Sequence, residues 1–126
     1  PTRARTSCAK PRRQGCDVAH RTMTPALLAE VAERFKALGE PVRLSLLQAL
    51  RKKEMSVGEL VAATGLGQAN VSKHLHQLLD CGYVTRRKEG TFVYYRIASD
   101  DVFMLCDVMC SRIDEEVRMR RERIGR

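Results

Sequence analysis

The stretch Gln68-Ala69-Asn70-Val71-Ser72-Lys73-His74-Leu75-His76 crowds hydrogen-bonding side chains onto successive positions of one segment. On a helix lying in the DNA major groove, residues near the N-terminus reach base edges. Gln68 can pair bidentately with adenine, Asn70, Ser72 and His76 can meet other polar edges, and Lys73 can reach guanine or a phosphate. The bland alternative is the solvated face of an ordinary helix. Cations follow closely in Arg86, Arg87, Lys88 and Arg96, the residue types that neutralise a phosphate backbone. His74 falls beside Leu75 towards the inward side, so a hydrogen-bonded structural histidine is expected there.

The second set is made of thiols, at positions 8, 16, 81, 106 and 110. Cys106 and Cys110 are four residues apart, which on a helix puts both sulfurs on one face. Such a pair can ligate arsenite or a soft metal ion (cadmium, zinc, copper(I)), or act as a sensor of reactive sulfur or oxidants. The same residues fit plain packing equally well. Val102, Cys106, Met109, Ile113 and Val117 make one apolar stripe, in which a free cysteine behaves as a small hydrophobe. Cys8 and Cys16 could complete a site from a partner subunit or be idle, and Cys81 is a lesser candidate. An odd cysteine count without a disulfide-like spacing suits a reducing compartment.

These residues need elements to hold them. Thr24-Pro25 is an N-cap followed by proline at the first helical position, and Leu28, Val31, Phe35 and Leu38 mark one face of that helix up to Gly39. Pro41 opens a second helix, apolar through Val42, Leu44, Leu46, Leu47 and Leu50, that closes at Arg51-Lys52-Lys53. Ser56 and Glu59 form a capping box for a short third helix, with Leu60, Val61 and Ala63 inward and Gly65 as its stop. After Leu66-Gly67 the fourth helix runs from Gln68 to about Leu79, with Val71, Leu75, Leu78 and Leu79 inward. The period then becomes alternating: Tyr83 to Lys88 and Thr91 to Ile97 read as strands around Glu89-Gly90. Ser99 is expected to cap a last helix running to about Arg123, laced by Asp114 with Arg118 and Glu116 with Arg120.

Two short helices joined by three residues, then a basic hairpin, are the order of a winged helix-turn-helix. The expected fold is mainly α with a small β-hairpin, five helices plus a two-stranded wing, in residues 24–126. Residues 1–23 hold six cations against Asp17 alone and read as a flexible basic arm. The 126 residues suffice for one domain. With no tryptophan and 5% aromatics the core is modest, which favours burying a further face against a second copy as a homodimer.

Lysine and arginine number 23 against 15 acidic residues, a net charge of +8, so a polyanion is the expected partner, nucleic acid first and an anionic membrane surface second. The helix-turn-helix order makes that nucleic acid double-stranded DNA. No apolar run reaches the roughly 18 residues of a membrane span, and no secretory leader is visible, which makes a cytoplasmic location the expectation. No phosphate-cradling loop or nucleophile-and-base motif points to an enzyme. An RNA-binding role would want more aromatic stacking surface. An architectural DNA-binding protein without an effector stays open.

Taken together, Leu38-Gly39-Glu40-Pro41-Val42-Arg43-Leu44, Ser56-Val57-Gly58-Glu59-Leu60, the Gln68–Leu75 segment, Gly82-Tyr83-Val84, Arg87-Lys88-Glu89-Gly90 and Tyr95-Arg96-Ile97 resemble the ArsR/SmtB family of winged-helix repressors over roughly residues 24 to 118. The resemblance implies a dimer built from the first and last helices and release of operator DNA by an effector. It puts the DNA-reading positions on Gln68, Ala69, Ser72 and Lys73, where Ala69 departs from the commoner hydroxyl. It also implies that two known metal sites are missing. The zinc site of the last helix would fall on Asp101, Phe103, Asp114 and Val117, two of which cannot ligate. The arsenic and cadmium site would fall on Glu59-Leu60-Val61, without thiols. A further thiolate arrangement at Cys81 would need a cysteine where Gln77 stands.

Overall fold

The computed structural model describes residues 21–125. Cys8, Cys16 and nearly all of the expected basic arm therefore lie outside the described residues. The elements are α1 (Pro25–Leu38), α2 (Pro41–Leu50), β1 (Met55–Ser56), α3 (Val57–Thr64), α4 (Gln68–Asp80), β2 (Val84–Glu89), β3 (Phe92–Ile97) and α5 (Asp101–Ile124). The chain divides into one unit up to Ala32 and another from Glu33 onward. In the first, the Thr24 side chain accepts the Leu27 amide at 3.2 Å and its carbonyl accepts the Leu28 amide at 2.9 Å, starting α1 as the sequence predicts.

In the second unit, Glu40 caps α2 by accepting the Val42 amide at 2.9 Å, with Pro41 at the first position. The capping box of α3 forms in full: Ser56 Oγ accepts the Glu59 amide at 3.2 Å, and Glu59 Oε1 accepts the Ser56 amide at 2.8 Å. Gly65 ends α3 at φ 74°, a left-handed conformation that a side chain would strain. Leu46, Leu47, Leu50, Leu60, Val71, Leu75 and Leu78 close the core, together with Val84, Tyr95, Val102 and Phe103. In α2, α3 and α4 the inner faces follow the helical period apart from two residues, whereas Leu28 and Phe35 of the face predicted for α1 are exposed. Ala63 is exposed, because α3 turns Val57, Leu60, Val61 and Thr64 inward, and Leu44 is also largely exposed.

The two-residue turn of the hairpin falls one position later than predicted, at residues 90–91. Glu89 pairs with Phe92 and Val84 with Ile97, with Gly90 at φ 62° in the turn. A third strand joins it. Met55 and Ser56 pair with Tyr95 and Tyr94, giving the antiparallel order β1-β3-β2 and stitching the start of α3 to the wing. Ser99 lies outside the last helix: Asp100 is the N-cap residue, and Ser99 Oγ meets the Asp101 amide only at 3.5 Å. On α5, Arg118 takes Glu115 at 2.5 Å and Glu122 at 2.9 Å in place of the expected Asp114. One guanidinium is flanked by several carboxylates within a turn, so spacing alone does not choose among them. Among the described residues no helix is long and apolar enough to cross a membrane.

Candidate nucleic-acid interface

Helix α4 is positioned from behind by Val71, His74, Leu75 and Leu78, all buried. That leaves Gln68, Ala69, Asn70, Lys73 and His76 exposed, with Ser72 half-buried, so the residues singled out in the sequence share the open side of one helix. Gly67 precedes α4 without a side-chain cap, so its first amides keep free bonding capacity towards an anion.

The register of the wing sorts its cations. Residues directly opposite in an antiparallel pair share a face. Thr85, Arg87 and Glu89 thus stand with Arg96, Tyr94 and Phe92, while Arg86 and Lys88 stand with Tyr95 and Val93 on the other face. Arg86 Nη1 comes within 3.5 Å of His76 Nε2, joining the wing to the exposed face of α4. Arg87 is brought elsewhere: its guanidinium is held by Glu54 and Glu89, and Arg96 Nε donates to Thr85 Oγ1 at 3.3 Å.

Arg43 of α2 ties the inner side of α4 to the end of α1. Its Nε donates to the Ala37 carbonyl at 2.5 Å and Nη2 to the Lys36 carbonyl at 3.2 Å, while Nη1 reaches His74 Nδ1 at 3.1 Å and also donates to Gln77 Oε1. A guanidinium only donates, so in this contact His74 Nδ1 stands as the acceptor. The histidine is therefore the buried, hydrogen-bonded residue expected of it. Arg43, Gln77 and Glu54 are the residues of this interface to which sequence reasoning assigned no such part. Nothing local distinguishes a clamping arginine from a solvated one.

The thiols are spread. Cys81 ends α4, half-buried, and its carbonyl accepts from Arg34 Nη1 at 2.6 Å. It borders a cleft of about 280 Å³ lined also by Tyr83, Asp101, Val102 and Leu105. Burial raises the Tyr83 phenol above its ordinary range, with Cys81 and Cys106 acting the same way and Arg34 opposing. The Tyr83 hydroxyl donates to the Arg34 carbonyl at 2.9 Å. Cys106 is half-buried and Cys110 exposed. The stripe expected to pack around them is only partly core: Val102 is buried, yet Met109, Ile113 and Val117 are 60%, 50% and 41% exposed. Among the described residues no group of three or more His, Cys, Asp or Glu side chains could hold a metal ion.

Residues 40–86 match the family described as bacterial regulatory protein, arsR family. The crystal structure of Mycobacterium tuberculosis Rv0081 is 33% identical, with a TM-score of 0.68 over 78% of this chain and 98% of that one. The chain belongs to the ArsR family. The homodimeric winged helix-turn-helix DNA-binding domain Mb0332 of Mycobacterium bovis, a possible ArsR-family transcriptional regulator, is 35% identical, with a TM-score of 0.67 over 79% of this chain and 94% of that one. A probable mercury resistance operon repressor of Streptomyces lividans is 41% identical over 71 residues, 56% of this chain. This ArsR-family chain spans 57% of that repressor's length and 41% of the length of a 39%-identical M. tuberculosis transcriptional regulator.

Proposed function

We propose that this chain is a sequence-specific, DNA-binding transcriptional repressor that works as a homodimer. The observation that carries the reading is the continuous open surface from Gln68, Asn70 and Lys73 through His76 to Arg86 of the wing. A reading helix flanked by a cationic hairpin couples base contacts to phosphate contacts. Ala69, Ser72 and Lys88 complete the proposed contact set. The homodimeric assembly of the M. bovis neighbour supports the dimer, as do the uncovered apolar residues of α1 and α5, among them Phe35, Met109 and Ile113.

We further infer that a thiol-reactive effector acts at Cys106 and Cys110 and weakens the hold on DNA. The pair shares one helical face that the chain's own core leaves largely open, and one relative is named for mercury resistance, mercury being a soft, thiophilic metal. One copy offers two sulfurs; arsenite or a higher-coordinate ion would draw further ligands from the partner's helix or from Cys8 and Cys16.

Fluorescence anisotropy of the reduced protein on its own upstream DNA tests both parts. Tight, salt-sensitive binding that footprints as a short inverted repeat is expected. So is release by arsenite, a soft metal ion or polysulfide, lost when Cys106 and Cys110 are both serine. Coating of DNA without sequence preference makes the protein architectural. Release that survives the double serine variant removes the effector from this pair. Specific binding untouched by every thiophile returns the cysteines to packing.

A further inference from the structure

Arg86, Arg87 and Lys88 look interchangeable in sequence, yet the middle one is held apart. Arg87 Nε donates to Glu54 Oε2 at 2.8 Å and Nη2 to Glu54 Oε1 at 2.7 Å, a two-pronged pair, while Nη1 donates to Glu89. The guanidinium also lies over Tyr94, 4.7 Å from the ring centroid. With its guanidinium engaged by two carboxylates, Arg87 has its charge already matched and little left to offer a phosphate. Hydrogen bonding from Arg87 holds the Glu54 carboxyl below its ordinary range, so the pair stays ionised at neutral pH and is lost only on acidification past that lowered value.

Topology gives the pair its reach. In the order β1-β3-β2, Arg87 on β2 crosses β3 to meet Glu54, the residue immediately before β1. Two residues further on, Ser56 caps α3, the first helix of the helix-turn-helix. The bridge thus fastens the wing to the helix pair that carries the reading surface. Successive residues of a strand alternate, so Arg86 and Lys88 continue the face of the buried Val84 and Tyr95, the one that adjoins His76, while Arg87 lies on the opposite face. Held there by Glu54, Arg87 steadies the strand that presents them.

We propose that Arg87 is a positioning residue, clasped by Glu54, that aims Arg86 and Lys88 at DNA and is not itself a phosphate contact. The proposal rests on the DNA-binding reading above. It reverses the simple electrostatic expectation, under which removing an acid from a DNA-binding surface strengthens binding.

The test is anisotropy of full-length Glu54→Gln, Arg87→Ala and the double variant on a duplex carrying the footprinted site, across a range of salt. Each single variant is expected to weaken binding about fivefold or more, and the double variant no further, since both remove one interaction. The slope of log K against log salt is expected to stay as in the parent for all three, whereas Lys88→Ala lowers it by about one. An exposed ion pair adds little to stability, so thermal midpoints should barely move. Tighter binding by Glu54→Gln, or a slope lowered by about one in Arg87→Ala, overturns the proposal and makes Arg87 a phosphate ligand. A parent protein with no specific DNA binding refutes the functional reading instead. The clasp is then judged by amide NMR relaxation of residues 85–93 in Glu54→Gln, where unchanged order refutes it and increased motion supports it.

Discussion

Cys106 and Cys110 lie one helical turn apart but meet different surroundings. Burial raises the Cys106 thiol above its ordinary range, Cys110 and Asp107 push the same way, and Arg51, stacked over Phe103, pulls against them. The thiolate is the reactive form, so a raised value means less of it at neutral pH. In timed iodoacetamide labelling followed by mass spectrometry, Cys110 is expected to react before Cys106. The Cys106 rate should keep climbing as pH rises past the ordinary thiol range, and a rate already at its plateau at pH 7 would contradict this environment. The residue scale is also where sequence reading is weakest. Arg43, Arg87 and Arg118 are chemically identical, and their partners come from one turn away for Arg118, 33 residues away for Arg87 and 34 for Arg43.

At the scale of elements the reading surface depends on α3, a helix of eight residues that would be marginal alone. Its capping box and its tie through β1 to β3 make up for the length. Ser56 is buried, so Ser56→Ala removes the Glu59 amide's acceptor where water cannot readily replace it. The expected loss is about 1 kcal/mol, read as a lowered midpoint in urea unfolding with an unchanged m-value. No change at all would mean that β1 alone holds the start of the helix. The box was legible because it spans three residues. The strand was not, because two residues show no alternation and their partners, Tyr94 and Tyr95, lie about forty positions later.

At the scale of the whole molecule, α5 carries apolar side chains well past the residues that reach the core. Val102 and Phe103 are buried, whereas Leu105, Met109, Ile113 and Val117 remain exposed in the single chain. A stripe this long calls for a covering partner, and the proposed dimer supplies one. Ile113→Lys is therefore expected to shift sedimentation from dimer towards monomer while far-UV circular dichroism stays that of the folded chain. DNA affinity should fall at least tenfold, because two half-sites are no longer gripped together. A variant that remains dimeric at micromolar concentration would place the interface elsewhere.

By itself the sequence determined what is written over three or four residues: the start of α1, the capping box, the glycine stops, the helix-turn-helix order and the basic hairpin. Local backbone preferences and short periodicities act at that range and survive without knowledge of neighbours. It also marked the open face of α4, since a strong period leaves the polar residues only one side. The tertiary structure alone decided which partner each arginine took, which wing cations face α4, where β1 joins the sheet, and how little of the α5 stripe the core covers. Those outcomes depend on groups brought together across thirty to forty residues, where the pairing is set by packing and strand register rather than by spacing along the chain.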